Sequence, residues 1–203
     1  MTKILISSNN PDKIKEIRAI FRLPGVELLT LADFPDAPEV IEDGNTLSEN
    51  ALKKASMLNE FSGLPTIADD TGLEVDGLNG QPGVYSARYA GENASYADNV
   101  QKLIQEIQNV PEERRSARFR TVAVFYHPEI VLRAEGTIEG QILTEQRGQN
   151  GFGYDPIFYV PAYRKTLAEL SPREKNAISH RGQAFTRLYQ SLRKEFPSLT
   201  NLN

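Results

Sequence analysis

Hydrophobic and polar positions follow two periods along this chain, and each period predicts a different element. Apolar runs and alternation at a period of two predict strands, whereas apolar positions recurring every three to four residues predict amphipathic helices. Strands are predicted at Lys3–Ser8, Val26–Leu31, Pro65–Asp70, Ala117–Tyr126 and Val131–Leu143. Helices are predicted at Asp12–Phe21, Thr46–Glu60, Ser95–Asn109 and from Ser171 to about Glu195. Strands interspersed with helices indicate an α/β fold.

Residues suited to capping mark where the helices begin. Asn10 precedes Pro11, the residue favoured at the first helical position. Capping boxes are predicted at Thr46/Glu49, Ser95/Asp98 and Ser171/Glu174. The two long strands over 117–143 are predicted to pair antiparallel, so the sheet is expected to be mixed. Because no linker-like stretch interrupts the chain, we expect a single domain over residues 1–203.

Composition removes several classes of site. The chain has no cysteine and two histidines, so a disulfide framework, a thiolate zinc site and a multi-histidine metal cage are excluded. Any metal must therefore be bound by oxygen ligands. A net charge of -4 argues against a nucleic-acid binder that relies on a broad basic surface. An anionic ligand would need local positive charge or a bound cation.

Targeting and membrane segments are not expected. The apolar stretch between Lys3 and Ser7 is too short for the core of a signal peptide. No window approaches the roughly 18 apolar residues that a membrane span requires. We expect a cytoplasmic protein with no membrane or nucleic-acid partner.

The first candidate for chemistry is the turn between the first strand and the first helix, residues 7–13. Backbone N–H groups at a helix N-terminus, with Lys13 as a point charge, suit phosphate oxygens. The alternative is an ordinary Asn-Pro helix cap beside a solvated lysine. The turn lacks the glycine pattern of a Walker or dinucleotide-binding loop, which disfavours those sites.

Acidic residues form the second candidate. Glu42 and Asp43 lie in a polar loop, and Asp69 and Asp70 end a strand. Because side chains alternate along a strand, Asp69 and Asp70 are predicted to face opposite sides, so a partner carboxylate must come from elsewhere. Two carboxylates about 4 Å apart repel by roughly 4 kcal/mol at an effective dielectric of 20, and a divalent cation reverses that repulsion. Such oxygen ligands favour magnesium, whereas the alternative is acids that cap turns.

Two further segments are ambiguous by themselves. Residues 151–156 place aromatic side chains between glycines, which suits stacking on a base but equally a hairpin with two half-buried rings. Lys175 and Arg181 lie near predicted helix starts, where an anion would offset their unfavourable placement. The alternative is that Lys175, Arg181 and His180 are ordinary surface residues.

The order of these segments is more specific than any one of them. The chain contains SNNPDKIKE, EDGNTLSENALKKA, IADDTGLEVD, GQPGVYSARYAG, GFGYDPIF and EKNAISHRGQA, in that order. This succession resembles the inosine triphosphate pyrophosphatase family over residues 3 to about 195. The resemblance implies two lobes of a mixed, elongated β-sheet flanked by helices, with an active-site cleft between them. It also implies hydrolysis of ITP, dITP and XTP to monophosphate and pyrophosphate, with Mg²⁺, by a homodimer.

The resemblance also implies roles for matching positions. Asp70 is expected to be the proton acceptor and a metal ligand with Glu42, while Asp69 is either a further ligand or a structural brace. Lys54, rather than Lys53, aligns with the family's lysine. The substrate-binding residues implied are Ser8, Asn9, Asn10, Lys13, Lys54, Thr71, Phe152, Gly153, Tyr154, Asp155, Lys175, His180 and Arg181.

Two alternatives stay open at this point. One is a pyrophosphatase that acts on pyrimidine or other modified nucleotides, since the same acids and bases would be needed. The other is a non-catalytic nucleotide-binding module. The acids beside the expected polyanion site count against this second alternative, because a binder has less need for them.

Overall fold

The computed structural model describes residues 2–22 and 24–195. Its α-helices are α1 (Pro11–Ile20), α2 (Leu47–Ser62), α3 (Tyr96–Ile107), α4 (Pro172–Ile178) and α5 (His180–Glu195). Its strands are β1 (Thr2–Ile6), β2 (Val26–Thr30), β3 (Thr66–Val75), β4 (Pro82–Gly83), β5 (Ser116–His127), β6 (Ile130–Ile142), β7 (Phe158–Val160) and β8 (Lys165–Thr166).

The strands form a mixed sheet in the order β2-β1-β3-β5-β6-β7-β8, with β4 paired to β3. β1 pairs in parallel with both β2 and β3, whereas β7 pairs antiparallel with β6 and β8. β5 and β6 are neighbours joined by two residues, a connection that only an antiparallel pair allows. The predicted α/β class and mixed sheet are confirmed.

The described residues fall into two compact units. Unit 1 comprises the described residues within 1–70, 121–136 and 181–203, and unit 2 comprises residues 71–120 and 137–180. The chain passes from one unit to the other within β3, β5 and β6, and after the first residue of α5. Whether residues 1–203 act as a single domain, and whether an active-site cleft exists, stay predictions.

Each unit has its own hydrophobic core. In unit 1, apolar residues of β1, β3 and β5 pack against α1 and α5. In unit 2, apolar residues of α3 pack against β3, β5, β6 and β7. The amphipathic patterns of α1, α3 and α5 are explained by these buried faces.

Local capping chemistry sets the helix starts as predicted. The Asn10 side chain accepts hydrogen bonds from the backbone N–H groups of Asp12 and Lys13, at 3.0 and 3.2 Å. Complete capping boxes are present at Thr46/Glu49, Ser95/Asp98 and Ser171/Glu174. Because each capping box links two residues three positions apart, the local sequence pattern is enough to predict it.

Among the element boundaries that differ from the prediction, two lie at candidate site residues or beside them. The strand predicted over Pro65–Asp70 extends to Val75, so both aspartates lie inside β3 rather than at its end. The final helical region is two helices, because Ser179 adopts an extended backbone (φ -68°, ψ 156°) that ends α4 immediately before α5. Neither proline nor glycine marks this break in the sequence.

Candidate active site

The turn between β1 and α1 carries the first predicted site residues. Ser8 Oγ accepts a hydrogen bond from the Asn10 N–H at 3.2 Å, while Asn9 is exposed. The N–H groups of Asp12 and Lys13 donate to the Asn10 cap, so the cap itself uses two of the donors considered for phosphate. The Lys13 ammonium lies 3.2 Å from Asp69 Oδ2 and carries the positive charge of this turn.

Asp69 and Asp70 contact different partners, as alternation along β3 predicts. Asp69 is 2% exposed, and its Oδ2 faces Lys13 and the guanidinium of Arg181 at 3.2 and 3.3 Å. Asp70 is 6% exposed and accepts a hydrogen bond from Asn50 Nδ2 at 3.1 Å. One aspartate is therefore held between cations, and the other lies beside an amide donor.

Lys54 joins Asp70 to the acidic loop. Its Nζ lies 2.9 Å from Glu42 Oε2 and 3.7 Å from Asp70 Oδ1. The neighbouring Lys53 instead pairs with the exposed Asp43 at 2.6 Å. The structure thus places Lys54, and not Lys53, beside Glu42 and Asp70, the two carboxylates predicted to bind metal.

The charges of this cluster shift its pKa values in opposite directions. Burial by itself would raise the pKa of Asp69, but Lys13, Arg181 and Lys54 together hold it well below its ordinary value. Burial raises the pKa of Asp70, and the charge of Glu42 acts in the same direction. The nearby lysines oppose that rise without cancelling it. The proton affinities of two adjacent aspartates are therefore separated, and Asp70 is the better proton acceptor of the two.

The pKa of Lys54 is also shifted. Burial disfavours the ammonium form and by itself would lower this pKa, but the carboxylates of Asp70 and Glu42 outweigh burial and raise it. Lys54 therefore stays charged at neutral pH. It is a fixed positive charge between two acids.

Residues not singled out from the sequence complete this part of the site. Glu16 Oε2 lies 2.6 Å from Arg181 Nη1, so Arg181 bridges Glu16 and Asp69. Asn50 is fully buried and stands one helical turn before Lys54 on α2. Spacing could have found both, because Glu16 follows Lys13 by three positions on α1 and Asn50 precedes Lys54 by four.

Arg181 lies deeper than a simple surface contact. It is 1% exposed, and its guanidinium donates to Glu16 and Asp69. A charge this deeply buried needs such carboxylate partners. The residue therefore positions Asp69, whatever contact it makes with substrate.

A second group of predicted residues lies in unit 2, around residues 151–155. The Phe152 N–H donates to Asp155 Oδ2 at 2.8 Å, and Lys175 forms a buried ion pair with the same carboxylate. The Lys175 ammonium also lies 4.6 Å from the centre of the Phe152 ring. Asp155 thus fixes both the loop and the lysine.

Glycine is required in this loop. Gly151 and Gly153 have φ values of +73° and +58°, in the left-handed region that other residues rarely adopt. A Cβ atom at Gly151 would lie 2.0 Å from Asp155 Oδ2. The glycines therefore allow the chain to fold tightly around the Asp155 carboxylate.

Tyr154 and His180 have buried rings in the same unit. The Tyr154 hydroxyl donates to the Ser86 carbonyl at 2.9 Å, and its ring belongs to the hydrophobic core. His180 stacks on Phe119, with ring centres 4.6 Å apart. Thr71 is half-buried in β3 directly after Asp70. Their direct substrate contacts stay predictions.

The described acids offer few ligands for a metal ion. Among the described residues, no group of three or more Asp, Glu and His side chains is placed to hold a metal ion. Glu42 Oε2 and Asp70 Oδ1 nevertheless both lie close to the Lys54 ammonium, at 2.9 and 3.7 Å. Magnesium is commonly held by one or two carboxylates together with water and phosphate oxygens. The pair therefore fits such a site, whereas Asp69 is engaged by Lys13 and Arg181.

Within residues 2–22 and 24–195, no helix is both long and apolar enough to cross a bilayer.

Comparison with known proteins identifies the family. Residues 4–191 match the profile of the Ham1 family. The chain is 50% identical over 191 residues to the dITP/XTP pyrophosphatase of Geobacillus kaustophilus, covering 93% of each chain. It is 51% identical over 186 residues to the dITP/XTP pyrophosphatase of Thermoanaerobacter pseudethanolicus, covering 92% of this chain and 94% of that one.

Solved structures agree in fold. A HAM1 protein from Coxiella burnetii has a TM-score of 0.87 and 43% identity, covering 96% of this chain and 100% of that one. The Ham1 protein of Staphylococcus aureus has a TM-score of 0.85 and 42% identity, with the same coverage. The resemblance inferred from the ordered motifs is confirmed, and this chain belongs to the Ham1 family.

Proposed function

We propose that this protein hydrolyses non-standard purine nucleoside triphosphates, namely ITP, dITP and XTP, to the monophosphate and pyrophosphate. The observation that carries the proposal is the gathering of Lys13, Lys54, Glu42 and Asp70 in one unit of a Ham1-family chain. Relatives about 50% identical over nearly their whole length bear the name dITP/XTP pyrophosphatase. The reaction would remove these nucleotides from the precursor pool.

The triphosphate is assigned to the turn between β1 and α1. Ser8, Asn9 and Asn10 provide polar groups there, and Lys13 and Lys54 provide positive charge. Cations placed at the phosphates stabilise the charge that develops on a pyrophosphate leaving group. This role requires Lys13 and Lys54 to contact substrate as well as their carboxylate partners.

Asp70 is proposed as the general base. Its raised pKa increases its affinity for a proton, and its Oδ2 is oriented by Asn50. It would accept a proton from a water molecule that attacks the α-phosphorus in line with the leaving pyrophosphate. Asp69 would stay ionised and hold Lys13 in place.

Glu42 and Asp70 are the residues proposed to hold Mg²⁺. When bound, the ion would supply positive charge to the phosphate oxygens. Lys54 now faces both carboxylates and would have to yield part of that contact. Two carboxylates and one ammonium group leave a net negative charge at this pair, which would favour a bound cation.

The nucleoside is assigned to unit 2. Phe152 offers an aromatic face, and Gly153 and Tyr154 shape the loop. Asp155 fixes the loop by accepting the Phe152 N–H, and it is also ion-paired with Lys175. Thr71, His180 and Arg181 are the remaining proposed contacts. Recognition of a 6-oxo purine would need a donor directed at O6, from Arg181 or a backbone N–H near His180.

A homodimer is also proposed. The loop Gly83–Gly91 presents Tyr85, which is 58% exposed, and the Arg88 guanidinium lies 5.1 Å from its ring centre. Tyrosine and arginine are enriched at the energetic centres of interfaces. A two-fold contact through this loop is the proposed assembly.

The decisive experiment incubates the protein with Mg²⁺ and ITP, dITP, XTP, GTP, ATP and the pyrimidine triphosphates, and identifies the products. Hydrolysis of ITP or XTP in ¹⁸O-labelled water should place the label in the monophosphate and release pyrophosphate. Label in orthophosphate as the first product would contradict the bond assignment. Preferential turnover of a pyrimidine triphosphate, or binding without turnover, would favour one of the alternatives inferred from sequence.

A further inference from the structure

The side chains of Lys175 and Tyr96 lie beside the Phe152 ring in unit 2. The Lys175 ammonium lies 4.6 Å from its centre, and the Tyr96 ring centre lies 5.7 Å away with the two ring planes inclined at 36°. That spacing is within the range of aromatic pairs. A nucleobase that stacks on Phe152 must therefore be accommodated next to Tyr96.

Tyr96 is placed so that its ring can adjust. It is the first residue of α3, directly after the Ser95 cap, and it is 43% exposed. Its backbone is fixed because Ser95 and Asp98 form a complete capping box. A rotation of the exposed ring would leave that cap and the unit 2 core in place.

Phe152, the other ring of the pair, is held more firmly than Tyr96. Phe152 is tied through its own N–H to Asp155, which is ion-paired with the buried Lys175. Stacked rings lie roughly 3.5 Å apart, so a base between two rings separates their centres by about 7 Å. From the observed 5.7 Å and 36°, the Tyr96 ring would have to move outward by about 1 Å and rotate toward the plane of Phe152 to admit a flat base.

We propose that Tyr96 is the second aromatic wall of the nucleoside site, and that the purine inserts between Tyr96 and Phe152. This inference rests on the proposed function and adds a specific residue to it. Stacking tolerates any base because every base has a π face. Tyr96 should therefore supply affinity for the nucleoside, while discrimination at O6 comes from hydrogen bonds elsewhere.

The test compares Tyr96→Ala with Tyr96→Phe and with the matched control Tyr163→Ala. Tyr163 is also an exposed tyrosine of unit 2, at 46%. Tyr96→Ala should raise KM for ITP about 10-fold with kcat unchanged, as loss of one stacking partner predicts. Tyr96→Phe keeps the ring and should retain most of the affinity. The ratio of kcat/KM between ITP and ATP should stay the same in Tyr96→Ala.

Two competitive inhibitors separate a binding role from a structural one. Inhibition by inosine monophosphate should weaken about 10-fold in Tyr96→Ala, whereas inhibition by inorganic tripolyphosphate, which has no base, should not change. Equal weakening of both inhibitors, an unchanged KM, or an equal rise in Tyr163→Ala would overturn the inference. If the wild-type protein does not turn over ITP, the proposed function fails and this assignment fails with it. Normal wild-type turnover with an unchanged KM in Tyr96→Ala removes only the assignment.

Discussion

Lys54 and Asp70 form a buried pair across α2 and β3, with Nζ 3.7 Å from Oδ1 and both side chains about nine-tenths buried. The same ammonium group lies 2.9 Å from Glu42 Oε2. One positive charge therefore compensates two carboxylates that would otherwise repel each other. Changes to any of the three groups should alter the proton affinity or charge of the other two.

Asp70→Asn should abolish most turnover. The change is nearly isosteric, and the new side-chain oxygen can still accept the hydrogen bond from Asn50. It removes the proton acceptor and a negative charge, and loss of a general base typically lowers turnover about 10²–10⁴-fold. Steady-state kinetics with ITP and Mg²⁺, together with a circular dichroism spectrum, measure the effect and the fold.

Asp43→Asn is the matched control for this substitution. Asp43 is an exposed acid beside Glu42 whose partner is Lys53, and it should be dispensable for turnover. If Asp70→Asn kept more than about a tenth of wild-type turnover, the assignment of Asp70 as base would be wrong.

In the metal-free protein, the pKa of Asp70 should lie above that of an ordinary aspartate, because burial, reinforced by the charge of Glu42, raises it. An NMR titration of the Asp70 carboxyl group in the absence of Mg²⁺ measures this pKa. Lys54 opposes the rise. In Lys54→Met, the titration of Asp70 should therefore move to still higher pH. A shift toward lower pH, or none, would contradict the coupling of Lys54 to Asp70.

Asp69→Asn should lower the stability of the fold. Asp69 compensates Lys13 and Arg181, and breaking a buried ion pair by removing one partner typically lowers the free energy of unfolding by about 3–5 kcal/mol. Urea unfolding at pH 7 measures the loss. Asp43→Asn again serves as the control, and a loss no greater than in that variant would contradict a bracing role.

The same variant has a defined pH dependence. Because the folded-state pKa of Asp69 is lowered, its stabilising effect is complete above the ordinary value of 3.8 and is lost as pH falls toward the folded-state pKa. The difference in unfolding free energy between wild type and Asp69→Asn should therefore be constant near neutrality and shrink only below about pH 4. A difference that shrinks between pH 7 and 5 would assign the effect to another group.

Local patterns account for the part of the fold that the sequence predicts well. The boxes at Thr46/Glu49 and Ser95/Asp98 join residues three positions apart, so their geometry follows from the helix itself. Alternation in β3 likewise separates Asp69 from Asp70. The break at Ser179 was not predicted because neither glycine nor proline, the usual helix-ending residues, stands at this buried serine or directly beside it.

Contacts between residues far apart in the sequence could not be predicted for the site. Arg181 meets Asp69 across 112 positions and Glu16 across 165, and no local spacing reports contacts of that kind. The family resemblance supplied the positions of Arg181 and Asp69 but not their mutual contact. Nor did it suggest that Lys54 faces Glu42 and Asp70 together. Those relationships depend on packing among α1, α2, α5 and β3.

Light scattering at micromolar concentration should report the mass of two chains. Tyr85→Asp places a charge on the exposed ring position of the Gly83–Gly91 loop and should lower the measured mass, since aromatic anchors contribute strongly at interfaces. Tyr163→Asp is the control on another exposed tyrosine. A wild-type mass near 22.7 kDa would contradict the proposed dimer.

Selectivity for 6-oxo purines over adenine is the last expectation. ITP, dITP and XTP present an acceptor at O6, where ATP presents an amino donor, so a donor of the protein directed at this position would be mismatched with ATP. Leaving buried polar groups unsatisfied costs roughly 1–3 kcal/mol each. Sites built around such a hydrogen bond reject the wrong partner by about 10⁴-fold or more. GTP also carries O6, and its discrimination would have to arise at the 2-amino group.

The comparison of kcat/KM for ITP, XTP, GTP and ATP at one Mg²⁺ concentration tests this readout, and an ATP value within about tenfold of ITP would contradict it, given the expected discrimination. Arg181→Ala then separates two roles of the buried guanidinium. If Arg181 donates to O6, the variant narrows the gap between ITP and ATP. If Arg181 acts only by holding Asp69 and Glu16, kcat/KM falls for both nucleotides and their ratio is retained, which assigns the O6 donor to a backbone N–H near His180. Glu16→Gln removes one of the two ion pairs of Arg181 and keeps both the guanidinium and its pair with Asp69, so it should lower kcat/KM for both nucleotides, if at all, and retain their ratio.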